Sequence, residues 1–401
     1  MFRARDPFRR SQLAIAALFC FLGFQYGTWA SRIPTIKAHL GLSAAEVGLL
    51  LMATGVGAAA SFPLVALLMK RLGSRRLSVL AALCLGVILL LMAELPNYPV
   101  ALLVMLCDGV AVGALNVAMN AQGAALEVEF ERTAMAKLHA TFSAGSLCAA
   151  LLASAMNAFT STLLAHFAVA AVLLLLLIGY ARADLLTQDQ QPAKEAEKEK
   201  KSRRKLALPA RLTLWMGLAM AFGTITEGAM NDWSALYLRD VAKAASELAP
   251  MGIAVVSVMM VLARIFADGW RNRVGDARIV RVGSAVAGVG LALSLLVGGV
   301  VPALIGFACV GLGIAAVTPC VYVAAARQGS DSLTLVATMG TVGLLAGPAV
   351  IGFVANASGL VWGMGAVAGS ALLVSLCTTQ IRWPARAETP AEVVAEAAAA
   401  A

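Results

Sequence analysis

Four groups of ionisable and amide side chains sit inside stretches that are otherwise apolar, and these groups are where chemistry would occur. Glu227 shares a run with Thr224, Asn231 and Ser234 at steps of three and four residues. Those steps place all four on one helix face about two turns long. Such a face looks into protein or water, because hydrocarbon offers its polar groups no partner. A carboxylate there can take up and release a proton beside a hydrogen-bonding surface suited to a polar solute. A structural carboxyl bonded across helices fits the same pattern. Asp232 lies about 140° around the helix from Glu227 and nearer its end. Arg32, at a similar depth in an equivalent segment, is its expected partner in a gate, the alternative being a helix-end charge in water.

Asp108 opens a second polar stripe, followed by Asn116 and Asn120, with Gly109 and Gly113 forming a small-residue pair that lets another helix approach closely. Buried amides need partners, and either a sugar-like or amino-acid-like ligand or a neighbouring helix supplies them. Asp108 is therefore the second candidate proton site, and the two asparagines are candidate ligand contacts. Arg264 and Asp268, four residues apart, are expected to pair along one helix face as an inner latch beside Arg273. His139, with Ser143 and Ser146 on its face, is either a proton relay or a partly solvated helix-end residue. Gln25, Thr28, Trp29 and Arg32 share another face, with Tyr26 adjoining it. There Trp29 stacks on a sugar ring or anchors the helix at an interface.

These side chains need elements that can hold charge inside a hydrophobic body. Hydrophobic residues make up 60% of the 401 and charged residues only 13%, against about a quarter charged in a soluble domain. The chain is an integral membrane protein. Spans of about 20 apolar residues are expected near 12–33, 46–69, 77–94, 99–124, 137–158 and 163–182, and near 211–237, 248–269, 279–299, 301–325, 333–356 and 359–382. The basic stretch from Arg3 to Arg10 precedes an apolar run that passes Trp29 without a small-residue cleavage site, so that run reads as the first span. The seven cysteines lie singly in apolar runs and read as small core residues, and three scattered histidines offer no zinc spacing.

Orientation follows from Lys and Arg. With both termini in the cytoplasm, the outer loops hold only Arg32, Lys37, Arg239 and Lys243. Arg264 lies within a span, and the rest of the 31 basic residues face the cytoplasm. This bias accounts for the net charge of +9 without a nucleic-acid partner. The polar segment 184–210, with basic residues packed between Lys194 and Lys205, reads as a cytoplasmic linker. It divides a first bundle, 1–183, from a second, 211–385, and 386–401 reads as a disordered tail.

The halves repeat one another. Trp29-Ala-Ser31 is followed by the basic turn Arg71-Leu-Gly73-Ser-Arg75-Arg76, and Trp233-Ser-Ala235 is followed by Arg273-Val-Gly275-Asp-Ala-Arg278. These turns resemble the Gly-x3-Asp-Arg-x-Gly-Arg-Arg signature of the major facilitator superfamily. Ala66, Lys70 and Ser74 depart from it in the first half, while Asp268, Asn272, Arg273 and Gly275 follow it more closely in the second. Gly340, Gly343, Gly347, Pro348 and Gly352 are similar to the Gly/Pro-rich packing helices of the same superfamily. The Glu227-to-Ser234 and Asp108-to-Asn120 stretches look most like the YbjJ-type bacterial inner-membrane permeases and, more distantly, the fucose–proton symporter group.

The resemblance implies an all-α fold of twelve transmembrane helices in two pseudo-symmetric six-helix bundles, working as a monomer in a bacterial inner membrane by alternating access. The expected function is proton-coupled secondary transport of a small polar organic solute. Glu227 and Asp108 would couple protons. Gln25, Trp29, Asn116, Asn120, Asn231 and Ser234 would bind substrate. Arg32, Asp232, Arg264, Asp268, Arg71 and Arg273 would gate. No cofactor is expected, and no nucleotide loop or nucleophile–base pair suggests an ATP-driven pump or an enzyme. Two alternatives share the fold. One is a proton-antiporting drug or metabolite exporter, weakened by Met105 standing where such exporters carry an Arg. The other is a non-transporting receptor.

Overall fold

The computed structural model describes residues 6–187, 211–381 and 383. The linker and tail expected at 184–210 and 386–401 lie almost wholly outside the described residues. Local sequence sets where the helices begin. α1 (Pro7–Ala30) starts at Asp6, whose carboxylate accepts from the Phe8 N–H at 3.1 Å, with Pro7 in the first turn. A short α2 (Ile33–Leu40) ends at Gly41, whose φ of 64° is one that glycine adopts without strain. α3 (Ala44–Ala60) opens with a Ser43/Glu46 capping box.

α4 (Phe62–Leu91) is broken at Gly73, where φ 72° and ψ 166° end one helix and begin the next. Asn97 caps α5 (Tyr98–Phe130) by accepting from the Val100 N–H at 3.0 Å. The chain continues through α6 (Met135–Phe159), α7 (Leu163–Asp184), α8 (Arg211–Asp240), α9 (Met251–Val274), α10 (Asp276–Val297), α11 (Val300–Ile314), α12 (Val317–Ala326), α13 (Ser330–Ser358) and α14 (Leu360–Thr378).

Among the described residues, nine helices are long and apolar enough to cross a membrane on composition alone. The break at Gly73 splits one of these, so that α3 with 62–72 makes a second crossing and 74–94 a third. α8, which carries Glu227 and Asp232, and α9, whose described apolar stretch is the shorter Met251–Phe266, complete twelve crossings. Glu227, Asp232 and Arg264 on these two helices form the candidate site.

The repeat seen in sequence reappears as a repeat of packing. α1 packs on α6 and α7, α3 on α5, and α4 on α5 and α7. In the second half α8 packs on α13 and α14, α9 on α11, and α10 on α11 and α14. Each pairing has its counterpart six crossings later, which makes two pseudo-symmetric six-helix bundles. The bundles meet along two seams, α3 against α13 and α6 against α9, and the twofold exchanges one seam for the other.

Glycine permits the closest approaches. A Cβ on Gly109 would fall 1.8 Å from the Thr54 carbonyl oxygen, so the small-residue pair of α5 does receive a neighbour, α3. The cysteine expectation needs correction. All seven are free thiols, but only Cys320 and Cys377 are buried, while Cys84, Cys107 and Cys148 are exposed. A lipid-facing helix surface is as apolar as a core, so an apolar run does not distinguish the two.

Candidate functional site

The two halves are joined by polar contacts from mid-depth to the end away from Asp6. At that far end the Lys37 ammonium of α2 lies 2.6 Å from the Asp240 carboxylate at the end of α8. From α6, Ser154 donates to the Glu247 carbonyl at 2.5 Å and Asn157 to the Ser246 carbonyl at 2.8 Å. Both acceptors lie in the turn between α8 and α9. Deeper in, Tyr26 of α1 donates its hydroxyl to Asp232 of α8. Deeper still, Arg264 of α9 binds both halves. One guanidinium nitrogen is 3.2 Å from Glu227 Oε1 on α8, and the other donates at 2.6 Å to Ser143 Oγ on α6.

At the end carrying Asp6 the hydrogen bonds among the described residues run within one half. Gln122 donates to Ser74 and to the Leu186 carbonyl and accepts from the Leu186 N–H, while Arg271 holds Asp276. Asn116 is exposed and Asn120 half-buried, the latter donating to the former at 2.7 Å. His139 is exposed on α6, edge-on to Phe19 with ring centres 5.0 Å apart, and feels the charges of Arg264 and Glu227. Asn116, Asn120 and His139 thus present polar groups along α5 and α6 that lipid would not satisfy and a water-filled crevice would.

Beside the seam, Gln25 and Asp108 form a fully buried pair. The amide donates to one carboxylate oxygen at 2.9 Å, while the other carboxylate oxygen and the amide oxygen have no partner among the described residues. A carboxylate and an amide oxygen are both acceptors, so the pair is one donor short. Among the other expected ligand contacts, Asn231 donates to the Glu227 carbonyl within its own helix. Thr224 donates to the Gly340 carbonyl of α13. Ser234 is buried against Gly252 of α9. Trp29 is likewise buried, packed with Ile33, Val47, Leu50 and Met105. Neither Ser234 nor Trp29 meets a solute in this conformation. Arg71 and Arg273 are exposed at the turns of the near end.

Two expectations are corrected. Arg32 does not pair with Asp232. Its Nε donates to His166 Nδ1 of α7 at 3.0 Å, both side chains being buried, while Asp232 is taken by Tyr26. Arg32 lies beyond the end of α1, at the start of α2, and its side chain reaches α7 within its own half, whereas Tyr26 of α1 reaches α8 of the other. Arg264 is held by Glu227 and Ser143, and the expected pairing with Asp268 lies outside the described side chains. Glu227 is an ion-paired carboxylate with a side chain 29% exposed, not a group sealed in apolar surroundings. Sequence reasoning missed His166 and Ser143 as partners. A lone histidine early in a leucine-rich span was the available signal for the first.

Comparison with known proteins places this geometry. The family model of the Major Facilitator Superfamily matches residues 13–332. An uncharacterised MFS-type transporter of Yersinia pestis is 31% identical over 370 residues, covering 91% of this chain and 94% of that protein. The membrane protein MosC of Rhizobium meliloti is 29% identical over 354 residues, covering 86% of this chain and 84% of its own. Among solved structures, the nucleoside transporter NupG superposes with a TM-score of 0.69 at 14% identity, over 94% of this chain and 100% of that one. A bacterial homologue of the human lysosomal transporter Spinster, inward-facing and occupied, superposes with a TM-score of 0.71 at 14% identity, over 95% and 100%. At such identities the structures speak for the fold alone. With the family model spanning most of the chain, this multi-pass membrane protein belongs to the major facilitator superfamily.

Proposed function

We propose that the protein is a proton-coupled secondary transporter that moves a small polar organic solute across a bacterial inner membrane, with both termini in the cytoplasm. The observation that carries the reading is Arg264, which holds a titratable carboxylate of its own half and a hydroxyl of the other half at once. Protonating Glu227 removes the charge that positions the guanidinium, and the contact with Ser143 weakens with it. Solvent reaches this pair, as its 23% and 29% side-chain exposures require of a group that must load and unload.

Asp232 extends the same logic. Its carboxylate accepts from Tyr26 across the seam, and a protonated Asp232 is a weaker acceptor. Asp108 supplies a third proton site. Adding a proton turns one of its oxygens into a donor, the group that the unpartnered oxygen of Gln25 lacks. Asn116, Asn120 and Asn231 offer amide donors and acceptors to a polar solute on the crevice side, with His139 beside the proton path.

The test combines binding and transport. Thermal-shift screening of the purified protein against sugars, organic acids, amino acids and nucleosides identifies the solute. Uptake into proteoliposomes is then driven by a pH gradient. Glu227→Gln is expected to retain the ligand-induced shift and lose at least tenfold of gradient-driven uptake, about 1.4 kcal/mol or more in the driven step. Undiminished uptake by this variant removes Glu227 from coupling, and the absence of any transported solute removes the reading itself.

A further inference from the structure

At the near end, the inner stretch of α4 and the last turn of α7 enclose a groove of about 600 Å³ lined by Arg75, Arg76, Val79, Leu80, Leu83, Arg182 and Ala183. Three guanidinium groups stand at its mouth, and no acid is among the described residues that line it. The nearest acid in sequence, Asp184, is engaged 3.0 Å from Arg10. Arg75 spends one N–H on the Arg182 carbonyl at 2.8 Å, which ties the two helices together and caps α7. Arg76 and Arg182 extend from exposed positions.

The floor is apolar and leads into the bilayer. Leu80 and Leu83 are 47% and 41% exposed, and the same face of α4 continues to Val87 at 58%. Across the groove, Leu176 and Tyr180 of α7 are exposed alongside. The hollow at the far end makes the contrast. It is of similar size, 610 Å³, but its lining of Arg239, Asp240, Lys243 and Ala244 includes an acid already paired with Lys37 and no long apolar side chain. Of these two recesses, the α4–α7 groove is the one that joins a cluster of cations to a hydrocarbon track.

We infer that this groove binds an anionic phospholipid, with the phosphodiester held by Arg75, Arg76 and Arg182 and the acyl chains lying along Leu83 and Val87. Arginine suits the role because its planar fork gives two N–H donors to one phosphate. Basic recesses between membrane helices at the interface favour such headgroups. The inference does not depend on which solute the protein carries.

Native mass spectrometry of the full chain in mild detergent, with added phosphatidylglycerol or phosphatidylcholine, provides the test. The expected result is at least one phosphatidylglycerol retained at activation energies that strip phosphatidylcholine. Arg76→Gln with Arg182→Gln leaves the Arg75 bond to the residue-182 carbonyl in place, and should weaken phosphatidylglycerol binding roughly tenfold or more while leaving phosphatidylcholine unchanged. Thermal stabilisation by phosphatidylglycerol vesicles, read on the same two proteins, gives a second measure that also reports whether the variant folds. Equal retention of the two lipids by the wild type overturns the inference. So does a folded double variant that binds phosphatidylglycerol as the wild type does. Displacement of the lipid by millimolar inorganic phosphate alone also overturns it, since that result describes a simple anion site.

Discussion

At the scale of single residues, the buried Gln25–Asp108 pair separates a structural reading from a protonic one. Gln25→Leu leaves Asp108 enclosed without its donor, and a buried group stripped of its partner costs about 1–3 kcal/mol. Asp108→Asn replaces an acceptor oxygen by an N–H₂ group that can serve the unpartnered oxygen of Gln25, so stability should stay within roughly 1 kcal/mol of wild type or rise. Thermal unfolding in detergent should therefore show Gln25→Leu melting well below wild type and Asp108→Asn close to it. If the two fall equally, the carboxylate serves stability alone. The acid, its depth and its glycine neighbours were legible in the sequence, because composition along one helix reveals them. Gln25 as its partner was not, since α1 and α5 meet through a rotation that no spacing within either helix records. The same blindness misplaced the partner of Arg32, for which matching depth offered Asp232 while the packing supplied His166.

At the scale of elements, the seam between α3 and α13 brings backbone against backbone where Gly48 crosses Gly352, while further along Leu345 packs on Gly55. A Cβ on Gly48 would lie 2.7 Å from the Pro348 carbonyl oxygen, and one on Gly352 would lie 2.7 Å from the Ala44 carbonyl oxygen. Neither obstacle is a flexible side chain, so the clash is relieved only by moving the helices apart. Gly48→Val should leave each half folded yet disfavour closure of the far end. Cysteine labelling at Asn157→Cys in a background cleared of native cysteines should then rise several-fold over the same probe with Gly48 intact. Unchanged labelling would mean that the seam does not control access. The Gly/Pro pattern of α13 was legible as a packing face. That its partner across the seam is α3 follows only from the arrangement of the two bundles.

At the scale of the whole molecule, the far end is held by Lys37 and Asp240 together with the two hydrogen bonds from α6 to the α8–α9 turn. The ion pair is a quarter to a third exposed, so its worth is small, up to about 1 kcal/mol. That is still enough to shift a balance between two conformations by up to about fivefold. Lys37→Asp alone should tip the protein toward opening at this end, and adding Asp240→Lys should restore the original balance. Distance distributions from spin labels on α2 and the α8–α9 turn check both outcomes, and a double variant no nearer wild type than the single one would remove the pair from gating. The duplicated architecture was legible from two tryptophans and two basic turns. The second and third crossings, which join at Gly73 without a loop, show why boundaries were harder: a single positive-φ residue ends one helix and starts another with no polar interval.

The use of glycine at the seam has one more consequence. Where Gly48 crosses Gly352, peptide groups meet peptide groups, and no long side chain has to surrender its rotamers at that crossing. Ordering a flexible side chain costs up to about 2 kcal/mol, a toll that a rocking machine would meet on every turnover. A crossing made of bare main chain escapes it, so the two shapes of the molecule can lie close in free energy and leave the choice between them to a proton and a small cargo.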